Sequence, residues 1–169
     1  MAEPQSHPSL MSKKAMEATS RTSTNSAPLV HEIFTKVNNA KDKPKKIEVL
    51  KQFDSPGLRS LCKAAFDPKI IFDLPKGRPP FIANESPEGT EHTSLINEAK
   101  RLYIFIKGAS DIAKLRKETL FIQMLESLQV KDAEVLIDIK EKRINNAFKG
   151  LTSAVVKEAF NWNDDFLRK

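Results

Sequence analysis

The chain has 169 residues, 40% of them hydrophobic and 30% charged, a balance ordinary for a globular domain and too polar for a membrane-spanning one. No apolar run approaches the roughly 18 to 20 residues that would cross a bilayer, and no secretory-type apolar stretch follows the N-terminus. A cytoplasmic address without membrane partners is expected. Cys62 is the single cysteine, which excludes an intramolecular disulfide and a cysteine-rich zinc site. The formal charge of +6 favours a polyanionic partner, and its distribution sharpens that. Between Lys36 and Arg78 eleven basic residues face five acidic ones, so the excess collects in one region.

Residues 1 to 28 are rich in Ser, Thr, Pro and Ala with few large apolar groups, a composition that predicts a disordered tail; a helical domain is expected over 29–169. Leu29, Ile33, Phe34 and Val37 then set a helical period that stops at Asn38-Asn39. A second helix through Ile47, Val49, Leu50 and Phe53 starts near Asp42 to Pro44. Asp54-Ser55-Pro56 supplies a cap and a first-turn proline for a third, through Leu58, Leu61, Cys62, Ala65 and Phe66. Cys62 lies on the apolar face of that helix and reads as a buried thiol.

Asp67 to about Thr90, dense in Pro and Gly, reads as an extended crossing loop anchored by Ile71, Phe72 and Phe81. The spacing predicts a helix from Thr93 to Lys107, ended by Gly108, and another capped by Ser110 or Asp111 with Leu115, Leu120, Phe121, Met124, Leu125 and Leu128 on its buried side. Further helices follow over Asp132 to Ile144 and from Gly150-Leu151-Thr152 through Phe160, with Trp162 and Phe166 in a terminal turn. About seven short helices and no convincing strand pair predict an all-α fold.

Catalytic and cofactor signatures are missing from the sequence. His7, His31 and His92 have no metal-ligand spacing, and His92 reads as a loop residue or local cap. No phosphate-cradling glycine loop and no nucleophile elbow occur, so neither a cofactor nor an enzyme is expected. Trp162 and Tyr103 read as packing rather than as platforms for bases.

Helices that expose Lys or Arg opposite an apolar stripe can hold phosphates by charge and by backbone donors. Two segments offer this. One is the second and third helices, with Lys43, Lys45, Lys46, Lys51, Ser55, Arg59 and Lys63. The other is Lys140-Glu141-Lys142-Arg143, a short connector, and Lys149-Gly150-Leu151-Thr152-Ser153, where Gly150 lets the backbone approach closely and the hydroxyl of Thr152 or Ser153 can cap or meet a phosphate.

The stretches Leu29 to Phe34, Lys45 to Lys51 and Leu58 to Pro68 resemble the first helices of the N-terminal DNA-binding domain of ATP-dependent DNA ligases, most closely the short T-even phage type. Leu136 to Arg143 followed by Lys149 to Phe160 is similar to the helix, glycine turn and helix that close that domain, so the resemblance spans residues 29 to 163. The chain also resembles a family of small proteins of T-even-like phages of marine bacteria and cyanobacteria, to which no activity attaches, in Gly89 to Thr93 and Trp162 to Phe166.

The ligase resemblance implies an all-helical domain that lies along duplex DNA, intact or nicked, and grips phosphates without reading bases. Lys45, Lys46, Arg59, Lys63, Lys149, Gly150, Thr152 and Ser153 are then the expected DNA contacts. The K-x-D-G adenylation motif of ligases is lacking and Pro75 to Thr90 is unlike their pattern, which leaves a binding module without an active site. The alternative is an adaptor for a replication or host transcription protein, with Pro79-Pro80-Phe81 and Trp162 to Phe166 as its contacts.

Overall fold

The computed structural model describes residues 28–84 and 93–169, so the expected tail, apart from Pro28, and the reading of His92 lie outside the described residues. Helix α1 (Val30–Asn39) is fixed at its start by Glu32, whose carboxylate accepts from the Leu29 amide at 3.0 Å. Asp42 caps α2 (Lys43–Gln52) by accepting from Lys45 N at 3.1 Å, with Pro44 in the first turn. Ser55 does the same for α3 (Pro56–Phe66) through Leu58 N at 3.1 Å. Each cap satisfies an amide that the helix itself leaves orphaned, which is why these three starts are legible in sequence.

The segment from Asp67 to Asn84 has one regular contact, an isolated antiparallel bridge between Phe72 and Ile106. Phe72 is buried there, whereas Ile71, expected as an anchor beside it, is 54% exposed. Alternation of side chains along an extended strand turns neighbours to opposite sides.

The expected long helix over Thr93 to Lys107 is instead a four-residue helix α4 (Leu95–Glu98) that tightens into a 3-10 helix over Ala99–Phe105. With three residues per turn, Ala99, Leu102 and Phe105 stack on one side, and all three are buried. The next helix, α5 (Lys114–Ser127), starts after Ala113 rather than at Ser110 or Asp111, because Ser110 closes a local turn with Ile112 N at 3.1 Å. Leu115 is consequently 74% exposed, against expectation, while Phe121, Met124 and Leu125 point inward and Leu120 is half-buried.

Helix α6 (Val130–Lys140) runs through the centre, and its residues Ala133, Val135, Leu136, Ile137 and Ile139 are all buried. A helix apolar on nearly every side needs neighbours on every side. Here α1, α3, α4, α5 and the short α7 (Ile144–Ala147) all pack on it. Helix α8 (Ser153–Ala159) packs on α2. Trp162 and Phe166 are buried at the C-terminal end, with Phe160 at 5.0 Å from the Trp162 ring. The fold is all-α: among the described residues there are eight α-helices and no strand. None of the helices is long and apolar enough to cross a membrane.

Candidate nucleic-acid interface

The two basic segments meet where α1 ends. Gly150 N donates to Asn38 Oδ1 at 2.7 Å, and a Cβ placed on Gly150 would lie 2.7 Å from Lys46 Nζ and 3.2 Å from Asn38 Cα. The glycine therefore does let backbone approach closely, although what it approaches in the folded chain is α1 and α2. Lys46 Nζ donates to the carbonyls of Val37, Asn38 and Ala40 at 3.0, 3.2 and 2.8 Å. That ammonium closes the α1 C-terminus, where helix carbonyls lack partners and favour a cation. Lys46, expected as a phosphate contact, spends its three donors inside the protein.

Arg59 is also engaged. Its Nε and Nη2 donate to Asp54 at 2.7 and 2.5 Å, and its guanidinium lies 5.9 Å from the Phe160 ring at the end of α8. The hydrogen bond to Asp54 holds the Arg59 pKa above its ordinary value. Two of five donors are used, so the outer edge of the fork remains available to an anion.

Within Lys140-Glu141-Lys142-Arg143, expected as an exposed basic face, Lys140 is the clearest correction, while Lys142 and Arg143 are exposed but engaged. Lys140 is buried, and its ammonium donates to the carbonyls of Pro75 and Gly77, both at 2.9 Å, and to Glu141 at 2.6 Å. Burial opposes ionisation of Glu141, yet the hydrogen bonds from Lys140 and the Gly77 amide keep its pKa below the ordinary carboxylate range. Lys142, at φ 59°, donates to the carbonyls of Ala64 and Asp67 at the end of α3, and desolvation lowers its pKa. Arg143 pairs with Asp138 at 3.0 Å. Lys140 ties the proline-rich segment, and Lys142 the end of α3, to the end of α6.

What remains outward-facing is smaller. Lys45 and Lys149 are exposed, Lys63 is half-buried, and none of the three forms an ion pair or side-chain hydrogen bond among the described residues. Arg59 and Lys63 are four residues apart on α3 and share a face. Thr152 caps α8 by accepting from Val155 N at 3.3 Å, and the Ser153 hydroxyl beside it has no partner among the described residues. Helix α2 lies against α8, tied by Lys43 and Glu158 at 3.3 Å, so the two segments 100 residues apart in sequence border a common surface.

Residues 33–146 match a family described as one of unknown function, DUF6433. The chain belongs to that family. The DUF6433 span contains Lys45, Lys46, Arg59 and Lys63 and ends before Lys149, Gly150, Thr152 and Ser153. No curated protein and no solved structure matches the chain, so the ligase resemblance rests on the sequence pattern alone.

Several structural residues lay beyond the reach of sequence reasoning. Asn38 gave no signal beyond ending a helix. His31 read as an isolated histidine, but its Nδ1 lies 2.8 Å from Asp132 Oδ1 and its backbone amide donates to the same oxygen at 2.9 Å, joining α1 to α6. Cys62, by contrast, is a fully buried free thiol, and burial pushes its pKa up. Among the described residues no three His, Cys, Asp or Glu side chains cluster to hold a metal ion.

Proposed function

We propose that this chain is a non-catalytic helical module that binds duplex DNA, intact or nicked, through its phosphates and without reading sequence. The observation that carries the reading is the joining of the two basic segments at Asn38 and Gly150, with the side chains of Lys45, Lys63 and Lys149 left without partners among the described residues. Arg59 supports it through donors that meet no partner among the described residues, and Ser153 through a hydroxyl in the same position. Lys46, Gly150 and Thr152 contribute by building the junction that presents these groups.

A sugar-phosphate rail needs cations at intervals and tolerates any bases between them, so the expected affinity is weak, salt-sensitive and indifferent to sequence. A gel-shift panel with intact, nicked and single-stranded DNA tests this. Retention of both duplex forms, lost as salt rises from about 50 to 200 mM, is the expected result. Failure to retain either duplex at the lower salt rejects the proposal.

The adaptor reading keeps one supporting observation, Ile82 at 80% exposure just after Pro79-Pro80-Phe81. Its second expected contact is weakened, because Trp162 and Phe166 are packed inside rather than displayed.

A further inference from the structure

A cleft of about 770 Å³ opens between the end of α3, the extended segment after it and the α6–α7 turn, within the size range of sites that take small organic groups. Phe66, Ile71, Phe72 and Leu74 give it apolar walls, and Lys76, Lys142 and Asn145 line it together with the Lys140–Glu141 ion pair, so three cations face one carboxylate. Ile71 is more than half exposed there, an aliphatic side chain left in water beside two cations. Lys76 forms no ion pair or hydrogen bond among the described residues, and Lys142 uses two of its three donors on carbonyls.

Two further relationships place this cleft. On α3, Arg59, Lys63 and Phe66 follow one another at i, i+4 and i+7, so they form one stripe along the helix, and Phe66 carries that stripe into the cleft wall. On the other side Asn145 donates to the carbonyls of Lys149 and Leu151, at 3.3 and 3.0 Å, which flank Gly150. The cleft is thus bordered by both of the segments proposed to hold DNA.

We infer that the cleft receives an unpaired nucleotide at the end of a DNA whose duplex portion lies along the Arg59–Lys63 stripe; this rests on the duplex-binding reading above. The apolar walls offer a base face the contact it seeks when unstacked, a contact open to every base because each has a π-face. Lys76 and the third donor of Lys142 stand where the adjoining phosphate needs neutralising. A fully paired end cannot use the cleft, since its terminal base remains in the stack.

The full chain is titrated by fluorescence anisotropy against a blunt duplex, the same duplex with a short overhang, and the overhang strand alone. 2-Aminopurine in the overhang reports the environment of the unpaired base. The overhanging duplex is expected to bind about tenfold more tightly than the blunt one, the gain of roughly one stacked base, with a change in 2-aminopurine emission. Lys76→Gln and Ile71→Glu, both at exposed positions, should each erase most of that gain and leave the melting temperature and blunt-duplex affinity unchanged.

Equal affinity for blunt and overhanging duplexes overturns the inference and leaves duplex binding standing, as does a gain that survives both substitutions. Single strands bound as tightly as the overhanging duplex also overturn it. Binding to no duplex overturns this inference and the reading beneath it.

Discussion

Gly150 N donates to Asn38 Oδ1 at 2.7 Å across 112 residues of chain, and Lys46 Nζ fills the space where a side chain on residue 150 would stand. The three residues form one lock between the end of α1, the start of α2 and the turn before α8. Two cationic segments are held together by it, and it determines which of their residues can face a ligand.

Gly150→Ala should therefore destabilise the protein. Its methyl group would displace an ammonium tied to three carbonyls and crowd the Asn38 backbone. Asn38→Ala removes the acceptor instead and leaves the Gly150 amide short of a partner. We expect losses of about 1–3 kcal/mol for each, read as a lower midpoint in urea unfolding at unchanged slope.

Lys46 and Lys45 are neighbours with opposite expected phenotypes. Lys46→Met should lower stability by roughly 1–3 kcal/mol, because the C-terminal carbonyls of α1 lose a charged donor. Lys45→Ala should leave the melting temperature within a degree or two, consistent with a surface position, and reduce DNA retention. Measuring both properties on both variants checks the assignment; equal melting temperatures would sink the capping role of Lys46.

Acid should weaken the contact between the Phe72–Leu74 segment and α5. Lys117, a buried lysine, donates to Asp73 at 3.0 Å, and that hydrogen bond holds the Asp73 pKa below its ordinary value. A carboxylate with a depressed folded-state pKa contributes stability that is present above its unfolded value of about 3.9 and is lost as pH falls through the folded value. Asp73→Asn should therefore flatten the acid side of the melting-temperature profile below about pH 5 relative to the parent chain. Parallel profiles down to pH 2 would contradict the linkage.

Cys62 should resist thiol reagents in the native protein and react at once in denaturant. Its side chain is fully buried and its pKa is raised, so both access and thiolate are denied. Rapid labelling without denaturant would mean that α3 opens readily.

Local signals carried the first half of the fold into view. Asp42, Ser55 and the prolines after them mark helix starts through contacts within three or four residues, which a single sequence records. The region after Thr93 misled because Ala99 and Leu102, three residues apart, suit both a 3.6 and a 3.0 period; burial of Phe105 and the bridge from Ile106 to Phe72 accompany the tighter one. Likewise Ser110 had the right chemistry for a cap and spent it on a turn.

The site was legible as composition and illegible as geometry. A lysine facing a phosphate and a lysine capping carbonyls look alike in sequence, so Lys46, Lys140 and Lys142 were indistinguishable from Lys45 and Lys149. Their acceptors at Val37, Pro75 and Ala64 belong to other elements, in the last two cases more than 60 residues away. Engagement of an ammonium by carbonyls of other elements is a tertiary event with no local trace.

The most direct measurement is the salt dependence of duplex binding for the parent chain and for the triple variant Lys45→Ala, Lys63→Ala, Lys149→Ala. Each lysine that neutralises one phosphate adds about one to the slope of log K against log salt, so the triple variant should lose about three from that slope with its melting temperature retained. An unchanged slope, or a parent chain with no salt-dependent binding at all, would contradict the proposed DNA-binding role of this surface.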